Sequence, residues 1–103
     1  MAIDTDGVIN FEGRKHRRSL ITDKATYVLR TGQGRVVRLV IQTVGTTWTL
    51  TLHDATAATS GKEIVQWVTA DGKGPFEYDI PCADGITVVS GGTTAGVATL
   101  VWE

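Results

Sequence analysis

From Ala25 onward the chain alternates apolar and polar residues in short runs, each closed by glycine, proline or a small polar cluster. Ala25–Thr31 carries Tyr27, Val28 and Leu29 and stops at Gly32-Gln33-Gly34. In Arg35–Thr43, Val37, Leu39 and Ile41 fall on one face and Val36, Arg38, Val40 and Gln42 on the other. Both faces are largely apolar, which predicts a central strand. Thr46–His53 is cleaner, with Trp48, Leu50 and Leu52 inward and Thr47, Thr49, Thr51 and His53 outward. Val44-Gly45-Thr46 reads as the turn of a hairpin joining these two strands. Asp54–Gly61 is small and polar and predicts a surface loop with room for a helical turn. Further strands are predicted at Glu63–Thr69, Phe76–Ile80, Ile86–Val89 and Ala95–Trp102, with turns at Ala70–Pro75 and Ser90–Thr94. Pro81 suits a strand end or a sheet edge. Seven or eight strands without a helical period predict an all-β fold, an antiparallel two-sheet sandwich of jelly-roll-like type.

Residues 1–24 show no sustained period. Ile3, Ile9, Phe11 and Ile21 are scattered apolar touches around the run Arg14-Lys15-His16-Arg17-Arg18. This predicts an extended N-terminal arm over 1–24, followed by a β-sandwich domain over 25–103. At 103 residues the chain has room for one domain.

Charge sharpens the contrast between the two parts. Net charge is −1, yet residues 1–38 hold eight of the ten Lys and Arg against four acids, about +4, while 39–103 hold two against seven, about −5. Such polarity can draw copies together or seat the basic end on an acidic partner. The single cysteine, Cys82, excludes an intrachain disulfide and a thiolate metal cluster. No apolar run approaches the ~18 residues of a membrane span. The N-terminal residues lack an apolar signal core, so synthesis and assembly in a cytoplasm are expected.

Several segments carry a resemblance. Thr46-Thr47-Trp48-Thr49-Leu50-Thr51-Leu52-His53-Asp54 leads into a loop of alanine, threonine and glycine. Gly74–Ile80, then Asp84-Gly85-Ile86-Thr87-Val88-Val89-Ser90-Gly91-Gly92 and Val97–Trp102 follow. Over residues 25–102 this resembles small β-sandwich structural proteins of tailed bacteriophages, which decorate capsids or sit on the neck, tail or fibres. The resemblance implies a virion location and the phage capsid or other virion subunits as partners. The segment before residue 25 lies outside it.

The candidate chemistry is sparse. Arg14, Lys15, Arg17 and Arg18 form a protein-docking candidate with Phe11. No aromatic is interleaved with the basic run, which weakens a nucleic-acid reading. Trp48 is assigned to the core. Trp67 and Trp102 fall on strand faces opposite clearly apolar ones and become subunit-interface candidates, with protein contact favoured over sugar stacking. His16 and His53 have no ligand spacing, and His53 reads as a surface residue at a strand end. Cys82, Asp84 and a histidine lack a nucleophile elbow or oxyanion loop. Asp71, Glu77, Asp79 and Asp84 do not match a calcium loop. The expected protein is therefore a non-enzymatic virion component without cofactor or metal. It would decorate or cement a capsid as a homo-oligomer, a trimer by preference. A receptor- or glycan-binding, neck or tail module is the alternative.

Overall fold

The computed structural model describes residues 2–3, 9–11 and 14–103, with side chains from residue 16 onward. Ten strands follow in order: β1 (Ala2–Ile3), β2 (Ile9–Phe11), β3 (Arg14–Ile21), β4 (Thr26–Thr31), β5 (Gly34–Thr43), β6 (Thr46–His53), β7 (Glu63–Val68), β8 (Gly74–Cys82), β9 (Gly85–Thr94) and β10 (Val97–Trp102). One short 3-10 turn, Thr69–Asp71, joins β7 to β8. All pairings are antiparallel. One sheet runs β1-β2-β3-β10-β5-β8 and the other β4-β9-β6-β7.

The pairing is nested. β3 pairs with β10, β4 with β9, β5 with β8 and β6 with β7. The chain thus forms one long antiparallel ribbon, β3–β6 against β7–β10. It then wraps so that β10 also pairs with β5, and β9 with β6. This is the order of a jelly roll, the two-sheet sandwich that the alternation predicts.

The predicted hairpin between β5 and β6 does not form, because those strands belong to different sheets. The chain bends at Gly45 from one sheet into the other, and the neighbouring β9–β10 passage bends at Gly96. The two bends touch backbone to backbone. A Cβ on Gly45 would lie 2.1 Å from the Thr94 carbonyl oxygen, and one on Gly96 would lie 1.9 Å from that of Thr43. Only glycine leaves room for two strands to turn a sandwich corner side by side. The predicted turn at Ser90–Thr94 is also absent, since β9 continues through it. Gly92 holds φ +104 and lies against the Thr47 carbonyl, so here glycine serves close approach within a strand.

The boundary expected at residue 24 moves as well. β3, which contains the basic run, is hydrogen-bonded to β10 through residues 17–21, and Ile21 is fully buried. The run is therefore part of the sandwich sheet. Its alternation places Ser19 and Ile21 beside Leu100 and Ala98 on the inner face. Ile3, Ile9 and Phe11 have side chains outside the described residues.

The core unites Ile21, Val36, Leu39, Ile41, Trp48, Leu50, Leu52, Trp67, Ile86, Val88, Leu100 and Trp102 from both sheets. Pro75 and Pro81 lie on β8, an edge strand, where a missing N–H costs no ladder bond.

Candidate docking face

Trp67 and Trp102 correct the sequence reading. They are 1% and 7% exposed, so both are core residues of this chain and not free interface residues. The interior accepts them because each indole N–H has a partner. Trp67 Nε1 donates to the Gly72 carbonyl at 3.2 Å, Trp102 Nε1 to Ser19 Oγ at 3.0 Å, and Trp48 Nε1 to Ser90 Oγ at 2.8 Å. Trp48 and Trp67 meet edge to face with centroids 5.3 Å apart. The partners are one serine on β3, one on β9 and a turn carbonyl, positions that a single-strand pattern does not flag.

With the tryptophans inside, the outward surface of β3-β10-β5-β8 stays open among the described residues, and register arranges it in rows. Leu20, Thr99, Val40 and Pro75 lie side by side across the four strands. Leu20 is 60% exposed and is the most exposed large apolar residue described. The adjacent row is Arg18, Val101, Arg38 and Glu77. Arg38 Nε donates to Glu77 Oε1, while Arg18 is exposed with no carboxylate in ion-pair range among the described residues.

A third row closes the end of the sheet. Arg35 and Glu103 exchange both backbone hydrogen bonds, at 2.8 and 2.9 Å. Arg35 Nη1 donates to Asp79 Oδ1 at 2.8 Å, and Arg35 Nε lies 3.6 Å from Glu103 Oε1. His16 Nε2 stands 3.1 Å from Glu103 Oε2, an ion pair when the imidazole is protonated. Asp79 adopts φ +55 beside a register shift that β5 makes with β8, and the displaced residue turns its carboxylate to Arg35. The Arg35–Asp79 pair is exposed and worth little by itself, whereas the facing atoms of His16 and Glu103 are buried; together they set a charge pattern.

Of the candidates on the basic strand, Arg17 and Arg18 are described in full. Arg17 faces the inner side and stacks over Trp102, 5.8 Å from the ring centroid. Arg18 faces outward. Arg14 and Lys15 lie on the same strand, with Phe11 opposite Arg14 and Asn10 opposite Lys15 in register, but their side chains fall outside the described residues. Leu20, Val40, Arg35 and Arg38 were not singled out as site residues. For Arg38 and Val40 the apolar second face of Arg35–Thr43 is the trace in the sequence.

The other outward surface, on β4-β9-β6-β7, is partly closed by the chain itself. The loop after β6 folds back so that Thr87 Oγ1 donates to the Ala55 carbonyl at 2.8 Å. His53 Nδ1 lies 3.2 Å from the Thr59 carbonyl, and since a carbonyl only accepts, Nδ1 carries the proton. His53 is therefore buried beneath the loop, not the surface residue the sequence predicts. Asp54 anchors the fold-back, its carboxylate accepting the backbone N–H groups of Ala83, Asp84 and Gly85 at 3.1, 2.8 and 3.3 Å. The Asp84 amide, joined by Ala83, Gly85 and the charge of Lys62, holds the Asp54 carboxyl below its ordinary value against a smaller desolvation effect.

Clefts also mark the described surface. One of about 420 Å³ lies at the sheet end between Arg30, Arg35, Cys82 and Glu103. Its arginines are engaged, Arg30 Nε with the Gln33 carbonyl at 2.7 Å and Arg35 as above. Burial first, then the Asp54 charge, pushes the Cys82 thiol above its ordinary value, so it stays protonated at neutral pH. The second, about 460 Å³, is a shallow apolar hollow between Thr47, Thr49, Val68 and Ala70. Among the described residues, no cluster of three or more His, Cys, Asp or Glu could hold a metal ion. No family model, curated protein or solved structure matches the chain.

Proposed function

We propose that the chain is a non-enzymatic structural protein of a tailed-bacteriophage particle, decorating or cementing the shell by binding neighbouring shell subunits through its β-domain and basic strand. One observation carries this reading. The basic run is held in a sheet strand, with Arg17 fixed over Trp102 and Arg18 exposed, and neither has a carboxylate partner among the described residues. A cationic strand held in a sheet, with Arg18 facing outward, suits an acidic protein surface, because less ordering entropy is lost on binding than with a free arm. The jelly roll supports it only as a scaffold common to viral and lectin domains, since a fold does not fix a function. A sugar-stacking platform has no observation in its favour: all three tryptophans are buried.

Quantitative mass spectrometry of purified particles tests the proposal. Hundreds of copies located on the shell are expected, and particles without the chain would sink it. Purified protein should also bind shells that lack it, less so as salt is raised. Arg14→Glu with Lys15→Glu should lower occupancy about tenfold.

A further inference from the structure

The rows on the open face have a symmetry of their own. Within β3-β10-β5-β8, β3 and β8 flank the two inner strands β10 and β5; β2 pairs with the far side of β3 at residues 14–16, below the rows of Arg18 and Leu20. Arg18 lies on β3 and Glu77 on β8, in the same row; Leu20 and Pro75 take those strands in the next row. A two-fold axis running along the strands, midway between two stacked copies, exchanges β3 with β8 and β10 with β5. It keeps every row at its own height.

We infer that this face is an isologous dimer interface, on which a second copy of the chain stacks with Arg18 over the partner copy's acidic β8 and Leu20 over its proline-bearing β8. Under that operation Arg18 of each copy meets Glu77 of the other, twice. Leu20 meets Pro75, and Val40 meets Thr99, each twice. Glu103, just past the end of β10, comes opposite Arg35 on β5. The outer positions of these rows are thus self-complementary, while Arg38 of each copy comes opposite Val101 of the other; a two-fold contact repeats each pairing twice. Without the partner, Arg18 has no counter-charge and Leu20 no cover among the described residues. In the pair, Glu77 is shared between Arg38 of its own chain and Arg18 of the other, an Arg–Glu–Arg arrangement.

Scale sets the strength. Four strands about 4.8 Å apart and six residues of about 3.4 Å rise give a flat footprint of roughly 400 Å² per copy. That places the dimer at the weak, concentration-dependent end of specific interfaces. Two copies are required, where the sequence reading preferred three. The inference shares Arg18 with the particle reading, but it pairs that charge with a second copy of the chain and is tested without any particle.

Sedimentation velocity on the full chain, from about 1 μM to about 1 mM, tests it. Dimer is expected to rise with concentration. Arg18→Glu sets two carboxylates against each other at both contacts, and Glu77→Arg sets two guanidinium groups against each other, so each should weaken dimerisation at least about tenfold. An equimolar mixture of the two variants restores an opposite-charge pair and should dimerise better than either variant alone. Leu20→Ser, at an exposed site, should weaken the dimer without touching the core, and tryptophan fluorescence confirms that each variant is folded. A parent protein still monomeric at about 1 mM would overturn the inference. So would an oligomer indifferent to Arg18→Glu and Leu20→Ser, or a mixture no better than its components. No particle enters the assay, so its failure and that of the shell reading are told apart.

Discussion

Thr87 and Leu20 occupy equivalent places, each facing outward from one sheet of the same sandwich, yet Thr87 is fully buried and Leu20 is 60% exposed. The difference lies in what the chain does after each sheet is made. The surface of β4-β9-β6-β7 is closed over Thr87 and His53 by a loop anchored through Asp54, though Val28 beside Thr87 stays half exposed, whereas that of β3-β10-β5-β8 receives no such cover among the described residues and keeps its charges in ordered rows. Alternation in a strand tells which residues share a face. It does not tell which face is later covered, and that second step separates the fold from the site.

The comparison requires a frame common to both faces, and the Gly45–Gly96 corner supplies it. Either glycine replaced by alanine puts a Cβ about 2 Å from a carbonyl oxygen, where something must shift. We expect Gly45→Ala or Gly96→Ala to cost about 3 kcal/mol or more, measured by urea unfolding, or to prevent folding. Both faces should be lost together, and a variant near parental stability would show that the sheets are not joined there. Trp102→Ala comes next, at about 3–4 kcal/mol, since it removes a buried indole and leaves Ser19 and Arg17 without their partner. An interface tryptophan would instead weaken association and leave unfolding unchanged.

Much of the fold could be read from strand patterns, and much of the surface could not. β4, β5, β6, β7, β8 and β10 lie close to the apolar–polar runs because a half-buried strand writes its period of two into the sequence. The β5–β6 hairpin was misread because Val44-Gly45 resembles a tight turn locally. Its real constraint is the backbone around Gly96, far along the chain. The basic run looked like an arm because charge masks alternation, and Ile21 alone of its inward residues is aliphatic. Trp67 and Trp102 were placed outside because both faces of their strands are apolar. Their hydrogen-bond partners, Gly72 and Ser19, settle the question in three dimensions. The rows of the open face depend on the register of four strands, which no single segment contains.

The covered face can be opened selectively. Asp54→Ala removes the acceptor for three backbone N–H groups, and we expect a loss of about 1–2 kcal/mol. Asp54 has a carboxyl pKa below its ordinary value in the folded chain, so its stabilisation is fully present above the ordinary carboxylate range. It fades as pH falls through that range and on to the lower folded value. The parent protein should therefore lose stability over this acidic window faster than Asp54→Ala, and parallel acid profiles would show that the fold-back does not depend on the charge. Hydrogen exchange should quicken at residues 54–62 and 83–85 in the variant, while β3 and β10 stay protected.

Leu20→Ser is the smallest change and the sharpest test of the contrast. Leu20 is exposed and contributes little to this chain's core, so unfolding free energy should move by no more than about 0.5 kcal/mol. Thr87→Val, its counterpart on the other sheet, removes the hydroxyl that binds the Ala55 carbonyl under the loop and should cost about 1–2 kcal/mol. The readouts should then cross over: the serine variant stays stable and associates less, while the valine variant loses stability and associates as before. Equal losses of stability would mean that Leu20 is covered within its own chain, and the distinction between an open and a closed face would fall with it.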